Sequence, residues 1–235
     1  MNYLNKEIVV IGLGYVGLPL VVRLSSNFDV IGYDISQKRI RELLSYVDKN
    51  MEFTKEDLKK ISRLKFTSNE KDIRGKLIYI VTVPTPVDKE NIPDLAYLKN
   101  ACEIVGRNLI EGAIVIFEST VYPGVTEEFC APIIAKKSDM KLNSNFFVGY
   151  SPERINPGDK EHSFEKITKV VSGSNKKITK VIGNIYGSVI EVGIFYAKSI
   201  KVAETAKAIE NAQRDINIAF INEVAMLCQH LDISV

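Results

Sequence analysis

The chain has 235 residues, enough for one large domain or one and a half ordinary ones. Hydrophobic residues make up 46% and charged residues 26%, the composition of a globular protein rather than a disordered one. Thirty-one Lys and Arg against 29 Asp and Glu leave a net charge of +2, which gives no electrostatic case for nucleic acid or a membrane surface.

Short apolar runs alternate with helical stretches along most of the chain. Glu7 to Ile11 reads as a buried strand, apolar without alternation because a parallel strand is covered on both faces. Tyr15 to Ser26 reads as a helix, and Val30 to Asp34 as a second strand. Ser36 is placed to cap a helix running to about Ser45. Leu77 to Val83 is the most strand-like segment. Asp94 starts the next helix, and Ala113 to Phe117 follows as a strand. Gly124 to Lys136 reads as helical and Phe146 to Tyr150 as a strand. Lys169-Val170-Val171 and Glu191 to Ile194 flank a further helix. This alternation predicts βαβ units and an α/β fold, a Rossmann-like, doubly wound, mostly parallel sheet.

From Ser199 to about Leu231 there is neither Gly nor Pro. The stretch predicts one helix of about 30 residues, with Val202, Ala206, Ile209, Ile216 and Phe220 as its apolar side. Helices of that length usually link domains or dimerise. The reading divides the chain into a nucleotide-binding domain, residues 1–198, and a connecting helix, residues 199–235, which opens a second domain. The chain then stops at Asp232-Ile233-Ser234-Val235 without a closing element, as a truncated one would.

Cys102, Cys130 and Cys228 lie far apart with no CxxC, and the two histidines, His162 and His230, are isolated. Neither a disulfide framework nor a metal site is expected, and a reducing cytoplasm is the expected location. All three cysteines fall on predicted helices beside apolar residues and read as core. The longest uncharged run, Ile8 to Val22, is 15 residues broken by three glycines and a proline. A membrane-spanning helix needs about 20 apolar residues.

Gly12-Leu13-Gly14-Tyr15-Val16-Gly17 follows a strand and opens a helix. Gly12 permits the tight turn, Gly14 lets backbone approach a pyrophosphate, and Gly17 lets helix and strand pack closely. The free N–H groups of the helix start then face the phosphates. A glycine-rich turn alone would mean little. Here Asp34 ends the second strand, 22 residues after Gly12, where a carboxylate accepts from the adenosine ribose hydroxyls and repels a 2′-phosphate. The pattern points to NAD rather than NADP. Arg39 could reach a 2′-phosphate, though it reads rather as solvated or packed near the adenine.

Ligands of such sheets bind beyond the carboxyl ends of the strands. Val83-Pro84-Thr85-Pro86 and Glu118-Ser119-Thr120-Val121-Tyr122-Pro123-Gly124 occupy two of those ends, either as plain connections or as site loops. Ser151-Pro152-Glu153-Arg154-Ile155-Asn156-Pro157-Gly158-Asp159-Lys160 follows a third. In the long helix, Lys207, Asn211 and Arg214 share one face at i, i+4 and i+7, joined by Glu204. A solvated helix face is the plain reading of such a stripe. Its amide and cation donors are the alternative.

Taken together, the strings GLGYVGLP, VPTP, ESTVYPG, SPERINPGDK and KVAETAKAIENAQRDINIAFINE resemble the UDP-glucose/GDP-mannose dehydrogenase family over essentially the whole chain. SPERINPGDK is similar to the branch acting on UDP-N-acetylhexosamines in Vi-type and O-antigen polysaccharide pathways. Pro157 stands where the family has a second glutamate, so only Glu153 carries over from that loop. The resemblance implies a cytoplasmic, NAD-dependent four-electron oxidation of the sugar C6 alcohol to a carboxylate, with UDP-GlcNAc or UDP-GalNAc as substrate and two NAD consumed. It implies that Lys207 and Asn211 stabilise an oxyanion at C6, and that Thr120 and Glu153 position water and transfer protons. It also implies that Glu153, Arg154, Lys207, Asn211 and Arg214 bind substrate. Gly12, Gly14, Tyr15, Val16, Gly17, Asp34, Arg39, Pro84, Thr85 and Thr120 would bind NAD. The family's nucleophilic cysteine lies in a GxGxGGHC-type loop beyond the long helix, and none of the three cysteines here matches that motif. A chain without it is expected to be inactive alone, and to form a homodimer through the helix. Two other readings stay open: a two-electron β-hydroxyacid dehydrogenase, and a non-catalytic NAD-binding module.

Overall fold

The computed structural model describes residue 3, residues 6–153 and residues 167–234. One eight-stranded sheet organises them, in the order β3-β2-β1-β4-β5-β6-β7-β8. Its strands are β1 (Ile8–Ile11), β2 (Val30–Tyr33), β3 (Leu64–Thr67), β4 (Ile78–Val81), β5 (Ala113–Phe117), β6 (Phe146–Tyr150), β7 (Lys169–Gly173) and β8 (Ile194–Tyr196). All neighbours run parallel except β6 and β7, which pair antiparallel through Gly149–Gly173 and Tyr150–Ser172. The order reverses at β1, where β2 and β4 flank it on opposite sides.

The helices are α1 (Gly17–Leu24), α2 (Gln37–Leu44), α3 (Lys55–Lys59), α4 (Glu70–Ile73), α5 (Ala96–Asn108), α6 (Ala131–Ser138), α7 (Lys176–Gly187) and α8 (Ile200–His230). Two apolar cores cover the two sheet faces. Val9, Ile11, Tyr79 and Val115 face α5 and α6, and Val10, Ile78, Ile80 and Ile116 face α1 and α7. The unbroken apolar composition of β1, β4 and β5 follows from burial on both sides. Among the described residues, no helix is long and apolar enough to cross a membrane.

Two segments depart from the sequence reading. Gly124 to Lys136 is not one α-helix: Val125–Cys130 is a π-helical turn that runs into α6. The last strand lies at Ile194–Tyr196 rather than Glu191–Ile194, because Gly193 takes φ +108 and breaks the extended chain before it. The elements α3, β3 and α4 were not expected. Strand β3 is an edge strand of four residues, and its alternation of Leu64 and Phe66 with Lys65 and Thr67 is too short to stand out.

Long helix α8 starts where expected, with the Ser199 hydroxyl accepting from Val202 N at 3.2 Å. It packs on β6 and β7 by a face the sequence did not indicate. Ile200, Ala203, Glu204 and Lys207 are buried, whereas Val202, Ile209, Ile216 and Phe220 are 49%, 63%, 66% and 64% exposed, and Ala206 is exposed too. The apolar stripe is thus turned away from the domain. The reason is angular: at about 100° per residue, residues 200, 203, 204 and 207 lie opposite residues 202, 209, 216 and 220.

Candidate functional site

The glycine loop lies at the reversal point of the strand order, where ligands of such sheets bind. Gly12 has φ +96, a conformation that excludes most side chains. A Cβ on Gly17 would lie 1.8 Å from the Gly12 carbonyl oxygen, whereas one on Gly14 would meet nothing within 4 Å. Gly17 is therefore a packing residue, and Gly14 borders open space. The Thr82 hydroxyl on the neighbouring strand end donates to the Gly12 carbonyl at 2.7 Å and fixes the turn. Helix α1 begins at Gly17, after Tyr15 and Val16, and no side chain caps it. Its first N–H groups are left for a ligand.

Asp34 stands directly beyond β2. Its Oδ2 accepts from Leu13 N at 2.9 Å and its Oδ1 from Ser36 N at 2.8 Å. Beside it opens a cavity of about 270 Å³ walled by Gly12, Tyr33, Val83, Pro84, Tyr97 and Ile104. Arg39 is not solvated. Its Nε donates to the Leu13 carbonyl and its Nη2 to Asp48, both at 2.9 Å.

The loops after β4 and β5 are stitched together. Ser119 Oγ donates to the Val83 carbonyl at 2.6 Å, and the Thr85 hydroxyl donates to the Thr120 carbonyl. Thr85 is thereby committed to positioning the Thr120 loop, while Thr120 and Pro84 are exposed.

Below these loops lies a charged cluster that joins the expected Glu153 and the Glu118 of the site loop to Lys169 and Tyr186, which the sequence reading missed. Lys169 Nζ stands 2.8 Å from Glu118 Oε2 and 3.2 Å from Glu153 Oε2, and the Tyr186 hydroxyl donates to Glu118 Oε1. The Glu118 side chain has no exposure, that of Lys169 has 5% and that of Glu153 has 10%. Among the described residues, two buried carboxylates converge on this one ammonium. Burial pushes Glu118 up to about 7, with Lys169 opposing and Glu153 adding to the rise. Burial alone would lower Lys169, but the two carboxylates outweigh it and raise it. Tyr186 is raised by burial and by Glu118, and stays protonated. The available signal was a Glu and a Lys at the ends of otherwise apolar strands.

Of the helix residues, Lys207 is buried, Asn211 half-buried and Arg214 exposed. Arg214 instead pairs with Glu210 at 3.2 Å on its own helix. Glu204 is no ligand group: its carboxylate accepts from Gly124 N at 2.6 Å and Thr126 N at 2.9 Å. It caps the π-helical turn that no local side chain caps. Arg154 and residues 155–160 lie outside the described residues.

Cys102 and Cys130 are fully buried in the core. A hydrogen bond that the Cys130 thiol donates to the Cys102 sulfur, and then burial, hold the Cys130 thiol far above its ordinary value, so it is no nucleophile. Cys228 is only half-buried on the outer half of α8 and is not a core residue.

Residues 6–190 match the NAD binding domain of the UDP-glucose/GDP-mannose dehydrogenase family, and residues 201–235 match that family's central domain. A UDP-N-acetyl-D-glucosamine 6-dehydrogenase of Salmonella typhi is 52% identical over 97% of this chain and 53% of its own length. Protein CapL of Staphylococcus aureus is 50% identical over 98% of this chain and 54% of its own. The solved structure of a UDP-D-ManNAc dehydrogenase from Pyrococcus horikoshii superposes with a TM-score of 0.88 at 33% identity, over 96% of this chain and 54% of that one. The chain thus spans about half the length of these relatives. It belongs to the UDP-glucose/GDP-mannose dehydrogenase family and carries its NAD-binding domain.

Proposed function

We propose that this chain is the NAD-binding half of a UDP-N-acetylhexosamine 6-dehydrogenase, which oxidises the C6 alcohol of UDP-GlcNAc or UDP-GalNAc to the uronic acid. The observation that carries the reading is the buried Glu118–Lys169–Glu153 set at the carboxyl ends of β5 and β6, on the same sheet rim as the glycine loop. Such a set holds a carboxylate oriented and desolvated next to a bound dinucleotide, as proton transfer requires. Relatives near 50% identity are UDP-N-acetyl-D-glucosamine 6-dehydrogenases, which supports this substrate class.

The residues divide the work by position. Gly12, Gly14, Tyr15, Val16 and Gly17 hold the pyrophosphate, and Asp34 holds the adenosine ribose. Pro84 walls the cavity beside Asp34, and Thr85 positions the loop of Thr120, which borders the cofactor. NAD, when bound, would supply the hydride acceptor for C6. Lys207 is largely buried, and its ammonium, with the Asn211 amide one turn on, is suited to stabilise an oxyanion there. Glu153 moves the proton, with Lys169 steadying its charge, and exposed Thr120 orients water. Arg154 is assigned to substrate binding by its motif. Arg214, turned to Glu210, has the weakest support. Membership of this family weighs against a two-electron β-hydroxyacid dehydrogenase, and the intact charged set weighs against a non-catalytic module.

We divide the chain at residue 198, with α8 opening the second domain. Its outward apolar stripe supports a homodimer formed through that helix. A cytoplasmic location fits a nucleotide-sugar substrate. The deciding experiment is product stoichiometry in the full-length protein carrying this chain, with UDP-GlcNAc and UDP-GalNAc supplied separately. Two NADH per uronic acid are expected, and Lys207→Ala should lower kcat by about 100-fold or more. One NADH per sugar with an aldehyde or ketone product would overturn the reading.

A further inference from the structure

Asp34 and Arg39 grip the same residue of the glycine loop. The Leu13 N–H donates to Asp34, and the Leu13 carbonyl accepts from Arg39. In dinucleotide sites these two residue types are rivals: an acid at the end of the second strand reads the 2′-hydroxyl, and an arginine close by accommodates a 2′-phosphate. This chain carries both. They line one cleft of about 370 Å³ together with Gly14, Ser36, Glu42 and Lys49.

The outcome of that rivalry is set by a third residue. The side chain of Asp48 is fully buried. Its Oδ1 accepts from Arg39 Nη2 at 2.9 Å and from Asn50 N at 3.2 Å. Its Oδ2 accepts from Glu52 N at 3.0 Å and Phe53 N at 3.3 Å. Three backbone donors thus fix the carboxylate before it meets the guanidinium, which is itself only 12% exposed. Swinging Arg39 to a phosphate would abandon a buried carboxylate and the Leu13 carbonyl together, a strongly unfavourable exchange. Lys49 in the same cleft is likewise held, 2.6 Å from Glu42.

We propose that Asp48 is a specificity-determining residue: it withholds Arg39 from the 2′-phosphate and so enforces the choice of NAD over NADP. Asp34 repels the phosphate, and Asp48 removes the cation that would otherwise compensate. A guanidinium freed from Asp48 has a fork matched to two phosphate oxygens.

The test is calorimetric titration of the protein with NAD and with NADP. Asp48→Asn should narrow the ratio of the two dissociation constants roughly tenfold, through tighter NADP binding. Adding Arg39→Gln to it should return the ratio to that of the unmodified protein. Arg39→Gln alone should leave the ratio within about twofold, since that side chain is already withheld. Two results would overturn the proposal. In one, Asp48→Asn weakens NAD and NADP equally, which makes Asp48 a loop-building residue only. In the other, Arg39→Gln alone weakens NADP selectively, which makes Arg39 a phosphate ligand despite Asp48. If Asp48→Asn does not fold, Arg39→Gln still tests the proposal, because a selective loss of NADP binding would overturn it.

Discussion

Glu204 and Gly124 lie 80 residues apart, yet the carboxylate of one accepts the backbone N–H of the other at 2.6 Å in the protein interior. This bond and its companion to Thr126 join the second turn of α8 to the loop that carries Thr120. Glu204→Ala should therefore cost about 2–4 kcal/mol of unfolding free energy, because two buried donors lose their acceptor. Urea titration measures it. Glu204→Gln, with one carbonyl to offer, should recover part of the loss. A cost below about 0.5 kcal/mol for the alanine variant would show that water replaces the cap.

Glu118 gives stability a characteristic pH dependence. Burial raises its folded value to about 7, above the ordinary 4.5 that applies unfolded. The native state then binds the extra proton, and its contribution is fully present below about 4.5 and is lost as pH rises through about 7. Glu118→Gln cannot titrate. Across that window the stability of the unmodified protein should fall relative to the variant. Parallel curves from pH 4.5 to 7.5 by urea titration would contradict the assignment.

Lys169 is the buried cation that Glu118 and Glu153 share, so its loss should cost more than that of any surface cation. Lys169→Met should destabilise the protein at pH 7.5 by about 3–5 kcal/mol, and by less at pH 5, where Glu118 is protonated. Combining it with Glu118→Gln should recover much of the loss. Strict additivity of the two substitutions would show that the groups do not interact.

Asp34→Ala should weaken NAD binding by about 1–3 kcal/mol, read by calorimetry. Part of that loss comes through the loop, because the same carboxylate holds Leu13 N and Ser36 N. NADP should lose less, as the repulsion of its phosphate disappears. An equal loss for both cofactors would place Asp34 in the loop scaffold alone.

The 235-residue chain, expressed by itself, should bind NAD and form no NADH from UDP-GlcNAc or UDP-GalNAc. It should self-associate through the outer half of α8. Ile216→Glu with Phe220→Glu should yield a monomer in light scattering at unchanged melting temperature, because both side chains are two-thirds exposed. A monomeric starting protein would overturn this prediction.

The sheet and the cofactor loop were legible because each rests on local rules: unbroken apolar runs for doubly covered strands, and three glycines at fixed spacing before a helix. The face on which α8 docks was not. Pattern alone seats a helix by its apolar stripe, and here the sheet takes the face of Ile200, Ala203, Glu204 and Lys207 instead. Lys169 escaped for a similar reason. A lysine before Val170 and Val171 reads as an ordinary strand boundary until two acids from distant loops are seen to converge on it. Asp48 sits in a stretch with no apolar period, and its role exists only through backbone donors that sequence does not display.

The reversal of β7 decides which member of the buried charged set is stiff. Strands β1 to β6 present their last residues at the rim, so the groups they deliver there, Glu118 and Glu153 among them, hang on the loops that follow. Strands β7 and β8, reversed by the antiparallel pairing, present their first. Lys169 is a ladder residue, in register with Ile194 and bonded through its own N–H to the Gly193 carbonyl at 3.3 Å. The cation is thus a post set in the sheet, and the acids are moored to it. Loops on this rim can vary in length and still find the same anchor.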